Sequence, residues 1–206
     1  MKISKLKFKN KNSRYNILIG FKSIEVLGKE IKLSCPYTRK VALIFDKKIP
    51  IKLKNKIIKQ VKNYEVFKYQ FQVSEKLKSF SKVNFLCEDL LKKNFNRDDL
   101  VISIGGGVIS DFGGFAASII KRGINFINIP STLLAQVDAS IGGKTGINSS
   151  LGKNLIGSFS QPKLVISDTE FLKTLPRREL VCGFAEILKH SLIDDKNLFS
   201  WIEKNT

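Results

Sequence analysis

Between Gly105 and Gly157 the chain reads GGGVISDFGGFAASIIKRGINFINIPSTLLAQVDASIGGKTGINSSLGKNLIG, and most of its chemistry-capable residues fall in or just beyond this stretch. The apolar run Leu100–Ile104 precedes three consecutive glycines, and a helical pattern follows them. A strand that opens through bare glycine backbone into a helix presents free N–H groups at a helix N-terminus, a geometry that suits a pyrophosphate. Asp111, Asp138, Lys144, Lys153 and Asn154 supply the carboxylates, ammoniums and amide that a ligand with many hydroxyls and a phosphate requires. Farther on, Glu186 and Lys189 stand at i and i+3 and share a helix face. They read either as a surface ion pair or as a metal-binding carboxylate beside a cation for a substrate. His190, the only histidine, is read as pointing away from Glu186 and is left unassigned.

None of these motifs is decisive alone. GGGVISD carries Ser110 where a G-x-G-x-x-G fingerprint has its third glycine, and Asp46, the candidate ribose acceptor, precedes the loop instead of following it. Gly143-Lys144-Thr145 resembles the tail of a P-loop, but neither Asp138 nor Ala139 supplies the first glycine.

The positioning elements follow from periodicity. Strands are expected at Tyr15–Gly20, Val41–Phe45, Val66–Val73, Leu100–Ile104, Asn125–Ile129 and Leu164–Ser167. Helices are expected over Lys52–Lys62, Ser79–Asn94, roughly Ser110–Lys121, Glu179–His190 and Leu198–Lys204. Strands alternating with helices predict an α/β fold with a doubly wound, mostly parallel sheet over residues 1–175. Residues 176–206 read as the first helices of an incomplete α-helical domain.

The chain has 206 residues, is 43% hydrophobic and carries a net charge of +18. Lysines are scattered along it, and those at 47, 48, 52, 54, 56, 59 and 62 read as solvated helix faces. Without an interleaved aromatic–basic motif, a nucleic-acid partner is not expected. No apolar run approaches a membrane span, and MKISKLKFKNKNSRYN has no apolar core of the secretory type. The expectation is a cytoplasmic protein with reduced thiols at Cys35, Cys87 and Cys182.

GGGVISDFGGFAASIIKRG, NIPSTLLAQVDASIGGKTGIN, LGKNLIGSFSQP, DTEFLKTLPRREL and GFAEILKH occur in this order. Together they resemble the 3-dehydroquinate synthase family, from about Tyr15 to the last residue and most densely from Leu100 onward. The resemblance implies a Rossmann-like NAD domain, a C-terminal helical domain with a divalent metal (zinc or cobalt), and an active site between them. It implies conversion of 3-deoxy-D-arabino-heptulosonate 7-phosphate to 3-dehydroquinate and phosphate, by transient NAD-dependent oxidation and β-elimination. Other sugar-phosphate cyclases share the scaffold, as metal-dependent polyol dehydrogenases do more distantly, and a non-catalytic NAD-binding remnant is a further alternative.

Carried over position by position, the resemblance implies that Asp46 meets the adenosine ribose and that Glu75 and Lys78 come from the family's D-G-E-x-x-K turn. Val73-Ser74 stands here in place of that turn's Asp-Gly. Gly107, Val108, Ile109, Ser110 and Asp111 correspond to the pyrophosphate loop, and Ser131 and Thr132 to a Thr-Thr pair. Lys144 and Lys153 resemble cofactor- and substrate-contacting lysines, with Asp138 and Asn154 beside the substrate and Phe171, Leu172, Lys173 and Thr174 at the nicotinamide end. Arg122 resembles an arginine that reaches the substrate phosphate of a neighbouring subunit, which implies a homodimer. Glu186 resembles the first metal ligand and Lys189 a substrate-binding lysine. The family's other two ligands are histidines beyond residue 206, so the 206-residue chain by itself is expected to lack catalytic competence, one carboxylate being too few for a catalytic zinc.

Overall fold

A computed structural model describes residues 3–10 and 13–205. The described residues form nine strands and six α-helices: β1 Ser4–Lys9, β2 Arg14–Gly20, α1 Leu27–Ser34, β3 Lys40–Asp46, α2 Ile51–Gln60, β4 Glu65–Phe71, α3 Phe80–Lys92 and β5 Leu100–Gly105. There follow α4 Gly107–Ile119, β6 Asn125–Pro130, β7 Lys144–Ser149, β8 Gly152–Phe159, β9 Leu164–Asp168, α5 Arg177–Asp194 and α6 Lys196–Asn205.

Seven strands form one sheet in the order β1-β2-β9-β6-β5-β3-β4. All neighbours pair in parallel except β1, which runs antiparallel to β2 at one edge. The central strands are buried on both faces, as a doubly wound sheet requires. Val41, Leu43, Phe45, Ile102 and Ile104 pack with Leu27 and Ile31 of α1 and Leu53 and Ile57 of α2. The alternate residues Ala42, Ile44 and Val101 pack with Leu86 and Leu90 of α3 and Phe112 and Ala116 of α4. From β3 the chain proceeds outward to β4, and from β5 it proceeds the other way to β6. The carboxyl ends of β3 and β5 therefore flank a topological switch point, where open α/β sheets bind ligands.

Every expected strand and helix is present, within a few residues at its ends. Three elements were not anticipated: β1, α1 and the two-stranded hairpin β7–β8. The hairpin lies against α4, burying Ile147 beside Phe112 and Phe126. That approach needs glycine on the helix, because a Cβ at Gly114 would lie 2.5 Å from Thr145 Cγ2; on the helix's sheet side, one at Gly113 would lie 2.1 Å from Ser103 Oγ of β5.

The lysine reading needs one correction. Lys54 is buried, and its Nζ donates to the Lys47 carbonyl and to Gln70 Oε1, each at 3.0 Å. Lys56 is also engaged, in a 2.6 Å ion pair with Glu170 that ties α2 to the chain after β9. Among the described residues no helix is long and apolar enough to cross a membrane.

Candidate active site

The loop Gly105–Val108 is shaped by where its polar groups go. The Ile109 and Ser110 amides donate to the Gly106 carbonyl at 3.0 and 3.1 Å, closing the first turn of α4. Ile109 is fully buried, and Ser110 lies inside with its hydroxyl 3.2 Å from Ser140 Oγ. The side chains of these two expected loop residues thus face the interior. The amides of Gly107 and Val108 remain as the helix's unsatisfied first donors, at the end that favours an anion. A Cβ at Gly106 would sit 3.1 Å from Thr132 Cγ2, and one at Gly107 would sit 3.2 Å from Ala139 Cβ, so the bare backbone itself forms the wall.

That wall borders a cleft of about 560 Å³ lined by Asp46, Glu75, Lys78, Gly107, Val108, Asp111, Ser131, Thr132, Asn154, Phe171 and Thr174, among others. The residues named come from six separate segments of the chain. Asp46 ends β3, and its Oδ1 accepts from the Lys48 amide at 2.9 Å, leaving the second carboxylate oxygen for a ligand. Glu75 accepts from Asn148 Nδ2 at 2.8 Å, and the Asn148 amide donates to the Lys78 carbonyl at 3.0 Å, tying the hairpin to the turn before α3. Lys48 and Glu179 also line the cleft.

Lys78 is the electrostatic centre. Its side chain is 4% exposed, and its ammonium donates to Asp111 Oδ2 at 2.5 Å and to Asn154 Oδ1. Asn154 reaches it from a left-handed backbone position, φ 58°, that asparagine tolerates better than most residues. Burial pushes the Asp111 carboxyl above the ordinary aspartate range; Lys78 opposes the rise, while Glu75 and Asp138 add to it.

Asp111 and Asn154 also line a second cleft of about 700 Å³, together with Asp138, Lys144 and residues of the hairpin. Asp138 lies in the π-helical turn Ala135–Ala139, where α5 docks closely: a Cβ at Gly183 would lie 2.5 Å from Leu133 Cβ and 2.6 Å from the Leu134 amide nitrogen. Glu186 and Lys189 do form an ion pair, and the Glu186 carboxylate holds the Lys189 ammonium above the ordinary lysine range.

The reading of His190 is corrected. Positions i and i+4 on an α-helix are only about 40° apart, and His190 Nε2 lies 3.2 Å from Glu186 Oε1. With Asp138 they form a group whose candidate ligand atoms all lie within 4.8 Å of one another. Glu186 is therefore not a solitary carboxylate, and its surroundings fit a divalent cation.

The remaining expected residues lie elsewhere. Lys153, Leu172 and Lys173 line neither cleft, and Lys173 Nζ stands 4.3 Å over the Phe21 ring. Arg122 is exposed just past the C-terminal end of α4, the opposite end from Gly107.

The sequence profile of the family 3-dehydroquinate synthase N-terminal matches residues 68–182. A 3-dehydroquinate synthase of Pelagibacter ubique (strain HTCC1062) is 50% identical over 205 residues, covering 100% of this chain and 56% of that protein. A 2-deoxy-scyllo-inosose synthase solved with carbaglucose-6-phosphate, NAD+ and Co2+ is 28% identical, with a TM-score of 0.86 over 92% of this chain and 52% of that one. A 2-epi-5-epi-valiolone synthase from Streptomyces hygroscopicus subsp. jinggangensis 5008, solved with NAD+ and Zn2+, is also 28% identical, with a TM-score of 0.81 over 99% of this chain and 55% of that one. The chain spans about half the length of the curated relatives it matches.

Proposed function

The chain belongs to the 3-dehydroquinate synthase family, and from that premise we propose that it forms the NAD-binding half of a 3-dehydroquinate synthase. The substrate in this reading is 3-deoxy-D-arabino-heptulosonate 7-phosphate, and the products are 3-dehydroquinate and phosphate. The observation that carries the proposal is the meeting of Asp46, Glu75, Lys78, Gly107, Asp111, Thr132, Asn154 and Phe171 on one cleft at the switch point of the sheet.

When bound, NAD+ supplies reversible hydride acceptance and a divalent metal supplies a Lewis acid, which together acidify the C–H beside a transient ketone so that phosphate can leave. The chain's own residues bind and orient. The Gly107 and Val108 amides receive a pyrophosphate, and the free oxygen of Asp46 accepts from ribose hydroxyls. Lys78 holds Asp111 and Asn154 in fixed positions between the two clefts, a preorganisation that supports reaction of a bound polyol. Lys144 offers a cation to the substrate in the second cleft, with Lys153 near it in sequence, while Glu186 holds the metal and Lys189 contacts substrate. Residues 1–175 act as the NAD domain and 176–206 as the beginning of the metal-binding helical domain. Arg122, exposed and carrying a positive φ of 63°, is assigned to the substrate phosphate of a second subunit in a homodimer. The three free cysteines accord with a cytoplasmic site of action.

Calorimetry of the 206-residue chain with NAD+ tests the cofactor assignment, and saturable binding of one NAD+ per chain is expected. Fusing the chain to the C-terminal half of the Pelagibacter relative and measuring phosphate release tests the reaction. Release from the heptulosonate phosphate is expected; turnover of a different sugar phosphate alone would assign the chain to another cyclase.

A further inference from the structure

We propose that Tyr15 and Gln161 are positioning residues that aim Lys144 into the second cleft by clamping the Gly142-Gly143 turn. This role rests on the reading above in which Lys144 meets the substrate, while the clamp itself stands on geometry. Lys144 is exposed at the start of β7, and its ammonium makes no hydrogen bond or ion pair among the described residues. Its place in the cleft is therefore set by the backbone that launches it. That backbone is Gly142-Gly143, with φ of 88° and 73°. Glycine has more conformations open to it than any other residue, so a turn built from two of them keeps one shape only where contacts from outside hold it.

Each successive peptide unit between Ile141 and Lys144 is held. The Gly142 amide donates to the Tyr15 hydroxyl at 3.1 Å, across 127 residues of sequence. The Gly142 carbonyl accepts from Gln161 Nε2 at 2.8 Å, and the Gly143 carbonyl accepts from the Ser160 amide at 2.8 Å. A Cβ at Gly143 would lie 2.5 Å from Gln161 Cδ and Nε2, so this side-chain amide packs directly on bare backbone. The Ser160 contact merely extends the β7–β8 ladder beyond the pairing of Lys144 with Phe159. Tyr15 does something different. It is 5% exposed on β2, its ring stacks on Phe8 with centroids 4.7 Å apart, and it shares a cluster with Ile17, Val165 and Ile141. Its hydroxyl thus ties the separate two-stranded hairpin to the seven-stranded sheet, which positions Asp111 and Asp138 through the segments that follow β5 and β6. The lysine and the two carboxylates of the second cleft are thereby held in one frame.

Two conservative variants test the clamp. Tyr15→Phe removes the hydroxyl and keeps the stacked ring; Gln161→Leu removes the donor and keeps the bulk. In the 206-residue chain, amide relaxation should give parent order parameters of about 0.85 at Gly142, Gly143 and Lys144. Each variant should lower them toward about 0.6 while β5 and β6 stay rigid, which separates a loosened turn from a loosened fold. In the fusion to the C-terminal half of the Pelagibacter relative, each variant should raise KM for the heptulosonate phosphate severalfold and leave kcat within about twofold, the pattern of lost uniform binding. A Lys144→Met background supplies the readout that a merely structural role would not move: there Tyr15→Phe should raise KM no further. Order parameters equal to the parent's, an unchanged KM, or a KM penalty that persists in full beside Lys144→Met overturns the clamp. If the parent fusion releases no phosphate from the heptulosonate phosphate, the functional reading falls and the order parameters alone decide. A turn that loosens in the variants then retains the clamp, and one that stays rigid removes it.

Discussion

Lys78 is the side chain on which most of the cleft depends, because a buried ammonium must be fully partnered to be tolerated. Asp111 and Asn154 provide that partnership, and removing the cation strands Asp111 in a site where burial already raises its pKa. Breaking one side of a buried ion pair costs about 3–5 kcal/mol, so Lys78→Met should destabilise the fold by an amount in that range at neutral pH. The sign of the pH dependence follows from the raised value. With Lys78 gone the folded-state pKa of Asp111 rises further above the unfolded ~3.9, so its stabilising contribution is complete below that unfolded value and is lost as pH climbs through the folded one. Urea unfolding of the variant and parent should therefore show a gap that narrows on moving from pH 7 to pH 4; an equal or wider gap at pH 4 would contradict this account. The thiols provide a second check at the same scale. Burial pushes Cys87 up to about 11 and raises Cys35, whereas Cys182 is exposed on α5. Since the thiolate is the reactive species, an aromatic disulfide reagent at neutral pH should titrate one thiol quickly in the native chain and three after denaturation.

At the level of elements, the docking of α5 depends on the missing Cβ of Gly183. Alanine there would gain about 1 kcal/mol of helix propensity but would meet Leu133 Cβ at 2.5 Å and the Leu134 amide nitrogen at 2.6 Å. Overpacking against backbone costs about 1–3 kcal/mol, so the clash outweighs the propensity gain. The expected outcome of Gly183→Ala is faster amide exchange along α5, with exchange in β3, β5 and β6 unchanged; uniform protection throughout would show that α5 docks by other contacts. The same elements show what a linear reading captures. The central strands were legible because strands buried on both faces are continuous apolar runs bounded by Gly, Pro or Asp. The hairpin was not, since its strands KTGINS and GKNLIGSF break their alternation with Gly146 and Gly157, where the two strands approach each other too closely for a Cβ. The edge strand β1, SKLKFK, is nearly all exposed and carries its lysines as edge protection instead of an apolar signal. For the site, the family motifs located the loop and Lys78, but the buried orientation of Ile109 and Ser110 is a consequence of the first helical turn. That His190 stands beside Glu186 was missed through an error of helical phase, one that the spacing of four residues could have prevented.

Over the whole molecule, the sheet is enclosed by helices on both faces while the C-terminal helices leave apolar surface uncovered. Val181, Phe184, Leu192, Ile193 and Trp201 are all exposed on α5 and α6, and among the described residues of α5 only Gly183 and Ser191 are buried. Large exposed apolar side chains concentrated on two successive helices suit an interaction surface, and the chain spans about half the length of the curated relatives it matches. The face is therefore expected to pack against the C-terminal half of such a protein. Trp201 is the only tryptophan in the chain and is 61% exposed, so its fluorescence reports on that face alone. In the 206-residue chain its emission should be that of a hydrated indole and should be quenched readily by acrylamide. In the fusion to the C-terminal half of the Pelagibacter relative, engineered to retain Trp201 as its only tryptophan, emission should shift to the blue and quenching should fall. Unchanged emission and quenching in an active fusion would mean that α6 stays at the surface and that the two halves meet through other elements. The net charge of +18 adds a condition to this measurement. Like-charge repulsion opposes close association and is screened over about 8 Å at physiological ionic strength, so the comparison belongs at that salt concentration, where a blue shift reports burial of the indole and not a change in repulsion.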